Sequence, residues 1–208
     1  MYSSCANIMK HLPKILIYSR LVIGILILIF SYIHIDNYEV IAVVLFAVGL
    51  LTDIFDGIIA RHLNISTQNL RRLDSTIDQI FFLMVASATF IECPQFFYDN
   101  KVKLLILLSV EGLAYLICFL KFKKEVATHS ISSKIWALIL FATIIQIMTT
   151  CNSITLFQIC FYTGLVTRFE IIGIIFLLRN WTNDVPSLYH AVLLRQGKLI
   201  KRHKLFNG

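Results

Sequence analysis

Long apolar runs broken by short polar stretches dominate the chain. Runs of about 20 apolar residues are the length a helix needs to cross a bilayer. Six such runs read out, roughly Ile15–Ile33, Val40–Ile59, Gln79–Phe97, Val102–Leu120, Ile135–Met148 and Ile154–Leu178. The pattern predicts an all-α integral membrane bundle of six transmembrane helices. Residues 1–181 form the membrane domain and 182–208 a basic cytoplasmic tail. The first run carries Arg20 and is followed by no small-residue cleavage site, so it reads as a span and not a cleaved signal. The tail starts like a capped helix with Pro186 early, and its basic end suits anionic lipid.

Composition agrees with this reading. Of 208 residues, 58% are hydrophobic and 15% charged, against about half and a quarter in soluble domains. The mean hydropathy is +0.78. Charge then sets the orientation. With the N-terminus inside, sixteen of the nineteen Lys and Arg fall on inner segments. These are Lys10, Lys14 and Arg20, then Arg61, Arg71 and Arg72, then Lys121, Lys123, Lys124 and Lys134, with the rest after Leu178. The outer loops keep Lys101 and Lys103, and Arg168 lies within a span. Basic residues are retained in the cytoplasm, so both termini are expected there. The bilayer explains the formal charge of +7, and no nucleic-acid partner is needed. The five cysteines stand singly, without metal or redox spacing. Cys93 and Cys151 could pair in outer loops, but the favoured reading is that they are small buried hydrophobes.

Against this apolar background, the stretch from Leu50 to Gln79 holds Asp53, Asp56, Asp74 and Asp78. Asp53, Asp56, Gly57, Ala60 and Arg61 lie at offsets that share one helix face, as do Asp74 and Asp78. The first two acids fall near the inner end of the second span and the other two at the inner start of the third. Four carboxylates converging beside a low-dielectric region need positive charge among them. Hard divalent cations with oxygen ligands supply it. The small Gly57 and Ala60 leave room for a diphosphate to share the metal shell. The bland alternative is a set of helix-end acids, ordinary for Asp74 and Asp78 near a helix N-terminus but disfavoured for Asp53 and Asp56 near a C-terminus.

The spacing of Asp53, Asp56, Gly57, Ala60, Arg61, Asp74 and Asp78 resembles the 26-residue motif of the CDP-alcohol phosphatidyltransferases. Leu70 departs from it, standing where the family has a glycine close to the nucleotide. The resemblance implies six spans, cytoplasmic termini, a cytosol-facing site and a homodimer. It implies that Asp53, Asp56 and Asp74 hold Mg2+ or Mn2+, in a two-metal site that Asp78 completes while acting as general base. Gly57, Ala60 and Arg61 would meet the CDP-lipid. The implied reaction moves a phosphatidyl group from CDP-diacylglycerol to a small alcohol acceptor and releases CMP, in phospholipid biosynthesis. The location would be the cytoplasmic membrane in a bacterial cell.

Three further residues bear on the acceptor. Pro13, Leu16 and Arg20 match the entry to the first span in glycerol-phosphate members, with Lys14 and Ile17 in place of the usual Asn and Thr. Arg20 would serve a phosphate or snorkel to the interface. Lys134 matches a lysine that binds an acceptor phosphate, or is a plain helix-end lysine. Arg168 is deep in its span, where an ionisable group usually faces protein or water; an acceptor phosphate or an ion pair with Glu111 or Glu170 would account for it. Pro13, Arg20 and Lys134 favour a phosphorylated acceptor, while "LDSTIDQ" at Leu73–Gln79 is closer to inositol-phosphate or serine members. Two other readings stay open: a carrier using the acids to bind a cation, and a family relative that keeps the metal site without turnover. Against the carrier, transport sites sit near the midplane, whereas these acids lie at the inner margin.

Overall fold

A computed structural model describes residues 2–63, 67–124, 126, 130–182 and 185–198, with side chains from residue 12 onward except those of residues 61, 68, 69 and 71. Among the described residues the chain is helical, without strands. The helices are α1 (Tyr2–Tyr32), α2 (Tyr38–His62), α3 (Gln68–Glu92), α4 (Pro94–Asp99), α5 (Lys101–Phe122), α6 (Ile131–Thr150), α7 (Ile154–Leu177) and α8 (Leu188–Arg195). Six of them contain stretches long and apolar enough to cross a membrane: Leu12–Tyr32, Tyr38–Ala60, Arg72–Glu92, Lys101–Phe122, Ile131–Thr150 and Ile154–Leu177. The six expected spans are present, and the largest differences are earlier starts of the third and the fifth. The third starts earlier, because the helix continues through Asp74 and Asp78, and it stops before Pro94, which cannot donate a backbone hydrogen bond.

The chain divides into two compact units. The first comprises residues 1–96 with 147–151, the second residues 97–146 with 152–208. In the first unit α1 packs on both α2 and α3. Its interior is apolar, with Ile17, Ile27, Phe46, Phe81, Val85 and Ala88 all buried. Phe46 meets Phe81 and Phe82 at centroid distances of 5.8 Å. Buried Ser31 finds its partner in the neighbouring helix backbone, its Oγ donating to the Ala88 carbonyl at 3.0 Å. The outward faces carry exposed Ile, Leu, Val and Phe side chains, as expected where the surrounding solvent is lipid.

Within this first unit Cys93 and Cys151 form a disulfide, with Cα atoms 5.2 Å apart. This corrects the expectation of two buried free thiols. Cys93 follows the last residue of α3 and Cys151 the last of α6, so the two helix ends meet. Isolated cysteines 58 positions apart carry no spacing signal for such a pair. Cys118 and Cys160 are free and buried.

In the second unit α7 packs on α5 and α8. Ala114 and Cys118 of α5 interlock with Ile171 and Ile175 of α7. Ile174, Leu178, Val185 and Ala191 join α7 to α8. Lys121 closes α7: its ammonium donates to the Ile175 and Phe176 carbonyls, each at 2.9 Å. A lysine thus satisfies carbonyls that the last turn of a helix leaves open. The basic residues after Lys198 lie outside the described residues.

Candidate metal and phosphate site

Three helices of the first unit build the site. Thr67 caps α3, its hydroxyl accepting from the Leu70 backbone N–H at 3.2 Å. Leu70 therefore sits in the first turn of α3, and no acid lies in that turn. Asp74 comes well inside the helix, which removes the helix-end explanation for it and for Asp78. Asp53 and Asp56 lie in the last turns of α2, where carbonyl dipoles make an acid unfavourable. Convergence of the four carboxylates must therefore be held by something positive.

That group is the Arg20 guanidinium, brought in by α1. Nη1 donates to Asp53 Oδ1 at 2.8 Å and to Asp78 Oδ1. Nη2 donates to Asp74 Oδ1 at 2.5 Å and to Asp56 Oδ2. Each terminal nitrogen bridges one acid of α2 and one of α3. Arg20 is fully buried, so it does not snorkel to the interface, and it lies in a span instead of in an inner loop. Asp56 is buried with it, at 3% side-chain exposure, whereas Asp53, Asp74 and Asp78 keep 37%, 32% and 30%. The acids form a cup closed at Asp56 and open along the other three.

The donor set suits a hard divalent cation. One carboxylate oxygen each from Asp53, Asp56 and Asp74 all lie within 4.8 Å of one another. Opposite oxygens around a bound magnesium are about 4 Å apart, so small side-chain adjustments suffice. Arg20 already marks the centre as a place for positive charge. Its Nε is buried without a hydrogen-bond partner, so the guanidinium is incompletely satisfied where it stands.

One turn deeper, the same three helices meet again. Phe81, one turn after Asp78, lies against Gly24, one turn after Arg20, and Gly49, one turn before Asp53. A Cβ on Gly49 would overlap the Phe81 ring, and one on Gly24 would come within 2.6 Å of Met84 Cε. Gly49 and Phe81, with Phe46, Leu50 and Phe82, line a small apolar cleft beneath Arg20, Asp53 and Asp78. Sequence reading did not single out this floor. Its signal was present as spacing, since the glycines and Phe81 each stand three or four positions from a site residue.

The other expected site residues divide as follows. Gly57 is half-buried and Ala60 buried on the last turns of α2. The side chain of Arg61 lies outside the described residues. Lys134 and Arg168 belong to the second unit. Lys134 is half-buried in the first turn of α6, which Ser130 caps by accepting from the Ser133 N–H at 3.2 Å. Arg168 Nε pairs with Glu111 Oε2, and its guanidinium lies 4.3 Å from the Trp136 ring centroid. Glu170, the other partner considered for Arg168, accepts from Ser132 Oγ.

The family model for the CDP-alcohol phosphatidyltransferases matches residues 10–181. Comparison with curated proteins and with solved structures gave no match. The matched segment contains all six apolar helices, Arg20 and the four aspartates. This chain belongs to the CDP-alcohol phosphatidyltransferase family of integral membrane enzymes.

Proposed function

We propose that the protein transfers a phosphatidyl group from CDP-diacylglycerol to the hydroxyl of a small phosphorylated alcohol, releasing CMP, on the cytoplasmic side of a membrane. The observation that carries the reading is the convergence of Asp53, Asp56, Asp74 and Asp78 on one buried cation. The family is generally dependent on divalent metal. Asp53, Asp56 and Asp74 hold Mg2+ or Mn2+, and Asp78 completes a second metal position. When bound, the ions neutralise the diphosphate and stabilise the departing CMP.

The chain's own residues then divide the work. Gly57, Ala60 and Arg61 meet the CDP-lipid. Asp78, on the open side of the cup, takes the proton from the acceptor hydroxyl. The acceptor oxygen forms its bond to the lipid-bearing phosphorus as the bond to CMP breaks, and CMP leaves with that electron pair. Arg20 serves the acceptor phosphate. The protein works as a homodimer.

Two independent features support the orientation. Basic residues concentrate on one set of segments. The disulfide lies at the opposite end of α3 from Asp74, about 28 Å away at 1.5 Å per residue. Disulfides persist on oxidising faces, which favours the reducing, cytoplasmic end for the acids. The deciding experiment supplies purified protein with CDP-diacylglycerol, magnesium or manganese and a panel of alcohol acceptors, and follows CMP. Release is expected with a phosphorylated polyol and should vanish with chelator. Undiminished release in excess chelator would remove the metal mechanism, and release only with an unphosphorylated alcohol would remove the acceptor assignment.

A further inference from the structure

Arg20 and a divalent ion draw on the same carboxylates. The guanidinium uses one oxygen from each of the four aspartates. Three of those carboxylates are the ones whose oxygens cluster closely enough to hold a metal. With Arg20 donating to all four carboxylates, a divalent ion can take them over fully only as the guanidinium gives way. Charge points the same way: one guanidinium leaves three of the four negative charges uncompensated, whereas two divalent ions would match all four. Arg20 is also poorly settled, with Nε buried and unpartnered. An unpaired buried donor carries a desolvation penalty, which lowers the cost of leaving.

We propose that Arg20 is an internal counter-ion that holds the four aspartates together while no divalent ion is bound, and that it leaves their centre when the ions enter. This rests on the divalent-metal reading of the site. Without a cation, four carboxylates on two adjacent helices would repel one another and push α2 from α3. Arg20 prevents this by bridging the two helices through each terminal nitrogen. Displaced, it becomes a planar fork suited to a phosphate, so metal entry frees an anion-binding group beside the site. The arginine is a positioning residue in the metal-free protein and a phosphate ligand in the loaded one.

The test uses full-length protein in detergent and Mn2+ as probe, with free Mn2+ followed by electron paramagnetic resonance and melting measured with and without metal. Arg20→Met keeps the length and removes the charge. It should melt lower than the parent without Mn2+, bind Mn2+ about tenfold more tightly, and regain parental melting at saturation. A variant that folds only with Mn2+ present is the extreme form of the same result. Equal Mn2+ affinity together with equal metal-free melting overturns the counter-ion role and leaves the proposed function standing. Should Arg20→Met fail to fold under both conditions, Arg20→Lys decides. Its single ammonium cannot bridge four carboxylates, so Mn2+ affinity should rise above the parent; an unchanged affinity overturns the proposal. A parent protein that binds no Mn2+ overturns the metal reading and the inference with it.

Discussion

Asp56 and Asp78 both touch Arg20, yet their surroundings differ by an order of magnitude in exposure, 3% against 30%. A buried carboxylate suits a permanent ligand, whereas a half-open one can meet an incoming hydroxyl. Asp78→Asn should therefore preserve most binding of the CDP-lipid headgroup and lower turnover by about 10²–10⁴. Asp56→Asn should weaken headgroup binding itself, because it strips charge from the metal site in the ground state. Calorimetry of the headgroup on both variants, beside their turnover, checks this; equal loss of binding would make Asp78 a metal ligand first. The acids were legible in sequence because their offsets fall on helix faces. Arg20 was legible only as a matched position. Its four partners are 33 to 58 residues away, and no local pattern encodes a contact at that range. Arg168 was readable as unusual from its depth, while the choice between Glu111 and Glu170 needed the folded unit.

Helices α1, α2 and α3 cross closely because glycine is used where Phe81 intrudes. Gly49→Ala should destabilise the protein by about 1–3 kcal/mol, since the added methyl meets a buried ring with nowhere to go. Gly112→Ala is the matched control. Nothing lies within 4 Å of the methyl it would add in the middle of α5. It should be neutral or stabilise by about 0.5–1 kcal/mol through helix propensity. Thermal melting of both variants in one detergent distinguishes them; equal shifts would mean that the glycine contacts do not govern this packing. At this scale most elements were readable from apolar run length alone. The ends of α3 and α6 were not. Asp74 and Asp78 read as the margin of a span, yet the helix runs through them because Arg20 satisfies both. Ser132, Ser133 and Lys134 fell just before the expected fifth span at Ile135, yet they form its capped first turn. Polar residues hide a helix whenever their partners come from elsewhere in the fold.

Across the whole chain, charge and cysteine placement point to one sidedness. In a background with Cys5→Ser, a cysteine at the exposed His62 should label only from the cytoplasmic face, and one at the exposed Tyr98 only from the other. Cys118 and Cys160 are buried and Cys93 and Cys151 are paired, so the background stays silent. Labelling of the His62 position from outside intact cells would invert the proposed orientation. The basic bias was fully legible in sequence. The disulfide was not, because its partners come together only through α3 and α6. That bond has a consequence for biogenesis. Cys151 leaves the ribosome 58 residues after Cys93, when everything from α3 to α6 has already been made. The bond can close only if the intervening helices have been threaded an even number of times, so that both thiols reach the same compartment. A misthreaded chain would keep at least one thiol away from the oxidant. The cross-link is thus a lasting record, written once per molecule, of whether insertion was completed correctly.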